Sequence, residues 1–255
     1  YKDLDLCVTS VLKKSTYRNF EIIIVENNST EKETFDYYNK IQKEYDNVRV
    51  LTWEREFNYS AINNFGVKEA KGDYILLLNN DTKILDKDSL GDMLGYCMRP
   101  EVGIVGSKLI YGDGTIQHAG VILGLGGIAG HAFIGLDAKE YGYMSRAYLS
   151  CDYTAVTAAC LMVPKAVFDE VGGLCEEYAV AFNDVDLCMK VRSKGYLVVY
   201  DAFSQWYHYE SKSRGLEDTP EKVARFNKEI AAFEKKWPDI LKNGDPYYNP
   251  NLTLK

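Results

Sequence analysis

Hydrophobic and polar positions in the first 111 residues follow two different periods. From Leu4 to Leu12, apolar residues recur every three or four positions, which is the spacing of an amphipathic helix. A polar stretch that ends near Tyr45 and a second one at 59–70 are also predicted as helices. Continuous apolar runs predict strands buried on both faces at 20–25, 48–53, 74–78 and 102–111. This alternation predicts an α/β fold with a mostly parallel central sheet flanked by helices.

The pattern becomes irregular after Gly112. The stretch 120–135 is dense in glycine and has no clear period. Regular elements return with a short apolar strand, followed by a helix that Pro164 starts and Gly172 ends. A second amphipathic helix follows within 184–196, and it leads into a predicted strand.

A long helix is predicted near the end of the chain. Asp218 or Thr219 is expected to cap it and Pro220 to start it. Its apolar stripe is expected to pack on the domain, and consists of Val223, Phe226, Ile230, Phe233 and Trp237. We therefore expect one domain, 1–255, with a nucleotide-type half at 1–111, an irregular half at 112–217, and a helix and tail at 218–255.

Composition is that of an ordinary soluble globular protein, with 46% hydrophobic and 26% charged residues. The formal charge of −7 argues against nucleic-acid binding, because neutralising phosphates requires clustered Lys and Arg. The six cysteines are far apart and form no CxxC pair. We expect them to be free, mostly buried thiols in a reducing cytoplasm.

Two polar clusters follow directly on predicted strands, at Glu26–Asn28 and at Asn79–Asp81. In open α/β sheets, ligands bind at the carboxyl ends of the strands, so the clusters would form a polar rim able to hold a sugar nucleotide. Asp81 between neutral neighbours suits Mg²⁺ or Mn²⁺ beside a diphosphate. The same residues also suit an ordinary turn between strand and helix, and spacing alone does not decide between the two interpretations.

A third polar cluster, in AFNDVDLC, opens a predicted helix. Asn183, Asp184 and Asp186 are favoured at the positive end of a helix, so simple N-terminal capping explains them. One carboxylate could instead act as a general base toward an acceptor hydroxyl. Because residues two apart point in different directions on a helix, we expect only one of the two aspartates to face a site.

Histidines are the remaining candidate ligands. His208 follows a predicted strand among aromatic residues, and His118 and His131 lie in the glycine-rich part of the chain. A structural role is the more common one for a lone histidine. These three are not arranged at HExxH or HxH spacing, and the glycines near them do not match a dinucleotide or P-loop motif.

Five motifs, in this order, resemble family 2 glycosyltransferases of the GT-A fold. They are YRNFEIIIVENNS, AINNFGVKEAKGDYILLLNND, ACLMVPKAVFDEVGG, AFNDVDLCMKVRSKGY and HYES. The resemblance extends from Leu4 to Trp237. It is strongest to the bacterial branch that builds cell-wall and surface polysaccharides, including rhamnosyltransferase-like members.

The resemblance implies a role for each matching residue. Asp81 falls on the DxD-like motif as a metal ligand, and His208 matches a histidine that completes the metal shell in some relatives. Asp184 is the implied catalytic base, with Asn183 in place of the common Glu. Glu26 stands where the family usually has Asp. The implied donor-binding residues are Glu26, Asn27, Asn28, Asn64, Asn79 and Asn80.

One departure from the family concerns its first strand. The family opens with a strand of the type VSIIIPTYN, and no such sequence precedes Tyr1. That strand is normally central, so its loss is expected to leave edges unpaired and apolar side chains uncovered.

The resemblance implies metal-dependent, inverting transfer from a nucleotide-diphospho-sugar, a UDP- or dTDP-sugar, to a hydroxyl of a surface glycan or a lipid-linked acceptor. Mg²⁺ or Mn²⁺ is the implied cofactor. The expected location is the cytoplasm, with a lipid-linked acceptor drawing the protein to the inner face of the membrane. Lys212 or Arg214 could close over the diphosphate, although a solvated linker is the favoured interpretation of this loop. The alternative function is a non-catalytic GT-A module that binds an acceptor or partners within a larger protein.

Overall fold

The computed structural model describes residues 1–209 and 219–254. The predicted loop with Lys212 and Arg214, and Asp218 as a helix cap, lie outside the described residues. The helices are α1 (Lys2–Lys14), α2 (Lys32–Glu44), α3 (Tyr59–Glu69), α4 (Ser89–Cys97), α5 (Lys165–Glu170), α6 (Asn183–Ser193), α7 (Pro220–Lys236) and α8 (Pro238–Asn243). The strands are β1 (Ile22–Glu26), β2 (Val48–Thr52), β3 (Tyr74–Leu78), β4 (Thr82–Ile84), β5 (Val102–Ile110), β6 (Ile116–His118), β7 (Val121–Leu123), β8 (Ala129–His131), β9 (Cys151–Asp152), β10 (Cys160–Pro164) and β11 (Leu197–His208).

The central sheet has the order β3-β10-β5-β11-β4, with β6 paired to β5 and β9 to β11. Its helices lie on both faces, so the predicted α/β class is confirmed. The pairings differ from the expected mostly parallel sheet. β5 and β11 are parallel, whereas β10 runs antiparallel to both of its neighbours and β4 runs antiparallel to β11. The mixed character arises because β10, which lies within the irregular half, inserts between β3 and β5.

A trough separates the central sheet from a second sheet made of β1 and β2. These two strands are parallel to each other, and β3 forms the edge of the central sheet. The trough is lined by the full length of β1 and β3 and by apolar side chains of α1. Among residues 1–209 and 219–254 no strand lies between β1 and β3.

Helix α1 holds the two sheets together by packing against both. Val11 lies in the cluster that covers one face of the central sheet, and Val8 and Leu12 lie in the cluster under β1 and β2. The helix forms because its apolar stripe recurs at helical spacing, with Asp3 and Asp5 in the first turn and lysines in the last, where each complements the helix dipole.

The C-terminal helix α7 packs on the domain through only part of its predicted apolar stripe. Thr219 caps it by accepting a hydrogen bond from the Lys222 N–H, as expected. Phe233 is fully buried, but Val223 and Phe226 are exposed. The six cysteines are free, and four of them are buried. Within the described ranges, no helix is both long and apolar enough to cross a bilayer.

Candidate functional site

All predicted site residues except Asn28 and Asn64 line one cleft of about 1770 Å³ at the carboxyl ends of β1 and β3. Its polar wall contains Asp81, Asp184 and His208, and Asp81 lies more than a hundred residues before the other two in the sequence. The cleft continues into the apolar trough between β1 and β3. The cleft therefore has a polar mouth, where charged ligands could bind, and an apolar floor.

Strand pairing brings Asp81 beside His208. The chain leaves β3, passes through Asn79–Asp81 and enters β4, which is antiparallel to the end of β11 with Thr82 opposite His208. This register places Asp81 Oδ1 3.1 Å from His208 Nε2. Both side chains are largely buried at the cleft wall. The Tyr209 N–H also donates to the Asp81 carbonyl oxygen at 2.9 Å, which fixes the turn.

The Asp81–His208 pair fits a divalent cation. A carboxylate oxygen and an imidazole nitrogen are both metal ligands, and here they face each other at the cleft wall. In the part of the chain that the structure describes, no group of three or more His, Cys, Asp and Glu side chains converges. Two protein ligands suit a cation that takes its remaining ligands from a diphosphate and water.

Asp184 faces the cleft from the first turn of α6. Its Oδ2 accepts a hydrogen bond from the Ala158 N–H at 3.1 Å, and its Oδ1 accepts from the Val185 N–H at 2.8 Å. These bonds hold the carboxylate against the wall opposite β1. Phe182, in the left-handed region with φ 60°, turns the chain into the helix just before it.

Asp186 points away from the cleft into the protein. Its side chain is 0% exposed, and its Oδ1 accepts from Trp237 Nε1 at 2.8 Å and lies 2.7 Å from Lys236 Nζ. Lys190 lies one turn along the same helix, with its Nζ 3.8 Å from Asp186 Oδ2. The two aspartates of the motif thus divide: Asp184 lines the cleft, and Asp186 joins α6 to the end of α7.

We expect Asp186→Asn to destabilise the protein by about 1–3 kcal/mol, because Lys236 loses the buried carboxylate that it contacts. Trp237 Nε1–H can still donate to the asparagine oxygen, and Lys236 is exposed enough to reach water, so the loss stays moderate. Urea denaturation of both proteins at pH 7 measures it. An unchanged free energy of unfolding would contradict the assigned role of Asp186.

The strand-end cluster Glu26–Asn28 lies on the β1 side of the cleft. Glu26 is buried and its Oε1 accepts from the Ser29 N–H at 2.7 Å. Asn27 donates to the Trp53 and Arg55 carbonyl oxygens, at 3.0 and 2.9 Å. Both residues line the cleft. Asn28 has φ 57° and donates to the same Arg55 oxygen, and it does not line the cleft.

Asn79 and Asn80, of the strand-end cluster Asn79–Asp81, line the cleft together with Asp81. Asn79 Nδ2 lies 3.4 Å from His208 Nε2, and Asn80 is exposed.

Asn64 belongs to the scaffold and not to the wall. Its amide exchanges two hydrogen bonds of 2.9 Å with the backbone of Leu174. Gly173 permits this contact, because its φ is +65° and a Cβ there would lie 2.7 Å from Asn64 Oδ1.

His118 is a buried structural histidine, as the common interpretation of a lone histidine expects. Its Nδ1 donates to the Ser107 carbonyl oxygen at 2.9 Å, and its Nε2 accepts from the Thr157 N–H at 3.2 Å. Burial and, to a lesser degree, the neighbouring His131 lower the pKa of His118 to about 3. The neutral ring thus holds Thr157 in the cleft wall. The next residue, Ala158, donates its N–H to Asp184.

We expect stability to fall between pH 6.5 and pH 3 because of His118. The pKa of His118 is about 3 in the folded protein and lies below its ordinary value of 6.5. Between these two pH values His118 is therefore protonated in the unfolded chain but not in the folded protein. At pH 5 this costs about 2 kcal/mol relative to pH 7. Urea denaturation at both pH values, with His118→Gln alongside, isolates the term, since the variant should lose about that much less on acidification. An equal loss in both proteins would contradict it.

Sequence reasoning missed Gln117 and Thr157, which also line the cleft, and it gave His131 no role there. Gln117 Oε1 lies 2.6 Å from His208 Nδ1. The Gln117 carbonyl oxygen accepts from His131 Nδ1 at 2.9 Å. The signal available in the sequence was the polar pair Gln117–His118 inside an otherwise apolar stretch.

Comparison with known proteins identifies the family. The sequence profile of glycosyl transferase family 2 matches residues 1–171. The chain belongs to glycosyltransferase family 2. Over 97% of its length this family 2 chain is 47% identical to uncharacterized protein y4gI of Sinorhizobium fredii and 39% identical to O-antigen biosynthesis protein RfbC of Myxococcus xanthus. It spans only 27% of y4gI and 19% of RfbC.

The fold is the GT-A fold of glycosyltransferases. The crystal structure of GalNAc-T7 with UDP, GalNAc and Mn²⁺ superposes on 94% of this chain and 47% of that one, with a TM-score of 0.72. The sequence identity over this superposition is 14%, so the likeness concerns the fold.

Proposed function

We propose that this chain is a metal-dependent, inverting glycosyltransferase that moves a sugar from a nucleoside-diphosphate sugar to an acceptor hydroxyl. One observation carries the proposal: Asp81 and His208, 3.1 Å apart, share a cleft with Asp184. A metal-type pair and a separate carboxylate in one cleft are what this transfer needs. The pair would hold the charge partner of the leaving group, and the carboxylate would be the base for the acceptor.

Asp81 and His208 would hold Mg²⁺ or Mn²⁺, which, when bound, offsets the negative charge of the departing diphosphate. The structurally similar GalNAc-T7 was crystallised with UDP and Mn²⁺, which supports this part of the proposal. Asn79 and Asn80 lie at the same strand end and would hydrogen-bond the ribose or the diphosphate. Glu26 and Asn27 would meet the base of a UDP- or dTDP-sugar.

Asp184 would act as the general base. Its carboxylate takes the proton of the acceptor hydroxyl while that oxygen bonds to the anomeric carbon and the bond from this carbon to the diphosphate oxygen breaks. The electron pair of the broken bond leaves with the diphosphate. A single displacement from the opposite face inverts the anomeric centre. The hydrogen bond from the Ala158 N–H orients Asp184 for this step.

The acceptor would be a glycan or a lipid-linked glycan in surface polysaccharide synthesis. The similarity to the O-antigen biosynthesis protein RfbC supports this class of acceptor. We propose that sugar transfer takes place at the cytoplasmic face of the membrane, where a lipid-linked acceptor and the nucleotide sugars would meet. The segment 112–152, which Lys108 ties to the sheet through the Ala138 and Ala147 carbonyl oxygens, would contact this acceptor.

Calorimetric titration with UDP and with dTDP, with and without Mn²⁺, tests the donor half of the proposal. We expect Mn²⁺ to tighten the binding of one of the two nucleotides. In a separate assay, the protein should slowly hydrolyse the corresponding nucleotide sugar. Binding of neither nucleotide, with or without metal, would contradict the proposal.

A non-catalytic GT-A module is the second candidate. Glu26 and Asn183 favour it, because they stand where the family usually has Asp and Glu. This candidate expects acceptor or partner binding without nucleotide hydrolysis, so the same titrations and a hydrolysis assay separate the two.

A further inference from the structure

A bulge in the ladder between β5 and β6 aims Gln117 at the cleft. The pairs are Leu109 with His118 and Ile110 with Ile116, so Gln117 is the extra residue on β6. A bulge redirects the side chain of its extra residue, and bulges are frequent beside active sites. Gln117 is only 2% exposed, so its side-chain amide would be costly to bury there without hydrogen-bond partners.

The Gln117 side chain determines which nitrogen of His208 carries a proton. Gln117 Oε1 lies 2.6 Å from His208 Nδ1, and an amide oxygen can only accept a hydrogen bond. Nδ1 therefore donates, and whenever the ring is neutral its other nitrogen carries the lone pair. That nitrogen, Nε2, is the one that faces Asp81.

We propose that Gln117 is a positioning residue for the cation site of Asp81 and His208. This inference rests on the proposed function. Gln117 contacts neither the sugar nor the cation; it holds the tautomer and the rotation of the His208 ring. Outer partners of this kind orient a ligating histidine and raise its basicity.

The backbone of Gln117 is itself anchored, so the side chain has a fixed base. Its carbonyl oxygen accepts from His131 Nδ1 at 2.9 Å, and the next residue, His118, bonds to the Ser107 carbonyl oxygen of β5. The orientation of His208 is thereby fixed relative to β5, a strand whose residues are all buried. A side chain that merely filled space would not need an oxygen at this point.

The test compares Mn²⁺ binding in the presence of UDP, measured by electron paramagnetic resonance, in the parent protein and three variants. Gln117→Leu keeps the size but loses the acceptor, and we expect Mn²⁺ affinity to fall about 10–100-fold. Gln117→Glu keeps an acceptor oxygen, and its affinity should stay within about threefold of the parent. Gln205→Leu is the matched control on β11, where the amide donates to the Ala202 carbonyl oxygen outside the cleft, and it should bind as the parent does.

The outcomes separate this inference from the proposed function. Unchanged Mn²⁺ affinity in Gln117→Leu, or equal losses in the Leu and Glu variants, overturns the positioning role and leaves the proposed function standing. A parent protein that binds no Mn²⁺ with UDP overturns both. Thermal unfolding of each metal-free variant is measured alongside, and Gln117→Met replaces the Leu variant if that variant does not fold.

Discussion

Asp184→Asn lowers the rate of sugar transfer by about 10²–10⁴-fold, the range that a general base contributes. The asparagine keeps the size of the side chain and can still accept the hydrogen bond from the Ala158 N–H. What it loses is the ability to take the proton of the acceptor hydroxyl. The UDP affinity in the presence of Mn²⁺ should be unchanged, because the proposed cation ligands are Asp81 and His208 and not Asp184.

Asp186→Asn is the matched control for this prediction. It makes the same substitution two residues further along the same helix, at a carboxylate that contacts Lys236 and Trp237 and does not face the cleft. Below its unfolding transition it should turn over at nearly the parent rate. Near-parent turnover by Asp184→Asn, measured with the same donor and acceptor, would show that another group is the base.

Asp81→Asn abolishes the gain in nucleotide affinity that Mn²⁺ produces and lowers kcat/KM for transfer by about 10²–10³-fold. A cation at the leaving group is worth several kcal/mol, and each 1.36 kcal/mol is a factor of ten in rate. The neutral amide remains beside His208, so packing changes little. Calorimetry with UDP, with and without Mn²⁺, and steady-state kinetics measure the two effects.

Asp239→Asn, at an exposed carboxylate on α8, controls for the loss of one negative charge. It should retain the Mn²⁺-dependent gain in affinity. If Asp81→Asn retains that gain as well, the cation binds elsewhere and the assignment of the strand-end triplet fails.

The front half of the fold was predictable because its strands are buried on both faces. Such strands are continuous apolar runs, and helices of clear period separate them, so the elements from α1 to β3 and the strand β5 were all expected. The short strands β4, β6, β7, β8 and β9 were not expected, because two or three residues carry no measurable period. The position of β10 between β3 and β5 depends on pairing with residues over fifty positions away, which no local pattern contains.

The candidate site was predictable at its strand ends and not in its supports. Asp81 and His208 follow strands, where polar residues stand out from apolar runs. Sequence spacing predicted that the side chains of Asp184 and Asp186 point in different directions. Only the packing of α7 against α6 shows that Asp186 is the one that points into the protein interior. Gln117 was invisible for a different reason, since its direction follows from a bulge that exists only once β6 pairs with β5.

Anomalous diffraction at the manganese edge, from crystals grown with Mn²⁺ and UDP, tests the central claim most directly. We predict one strong peak in contact with Asp81 Oδ1 and His208 Nε2, with the diphosphate beside it and Asp184 in the same cleft, free of metal. A peak at any other position in the molecule, or a diphosphate bound away from the Asp81–His208 pair, would contradict the account.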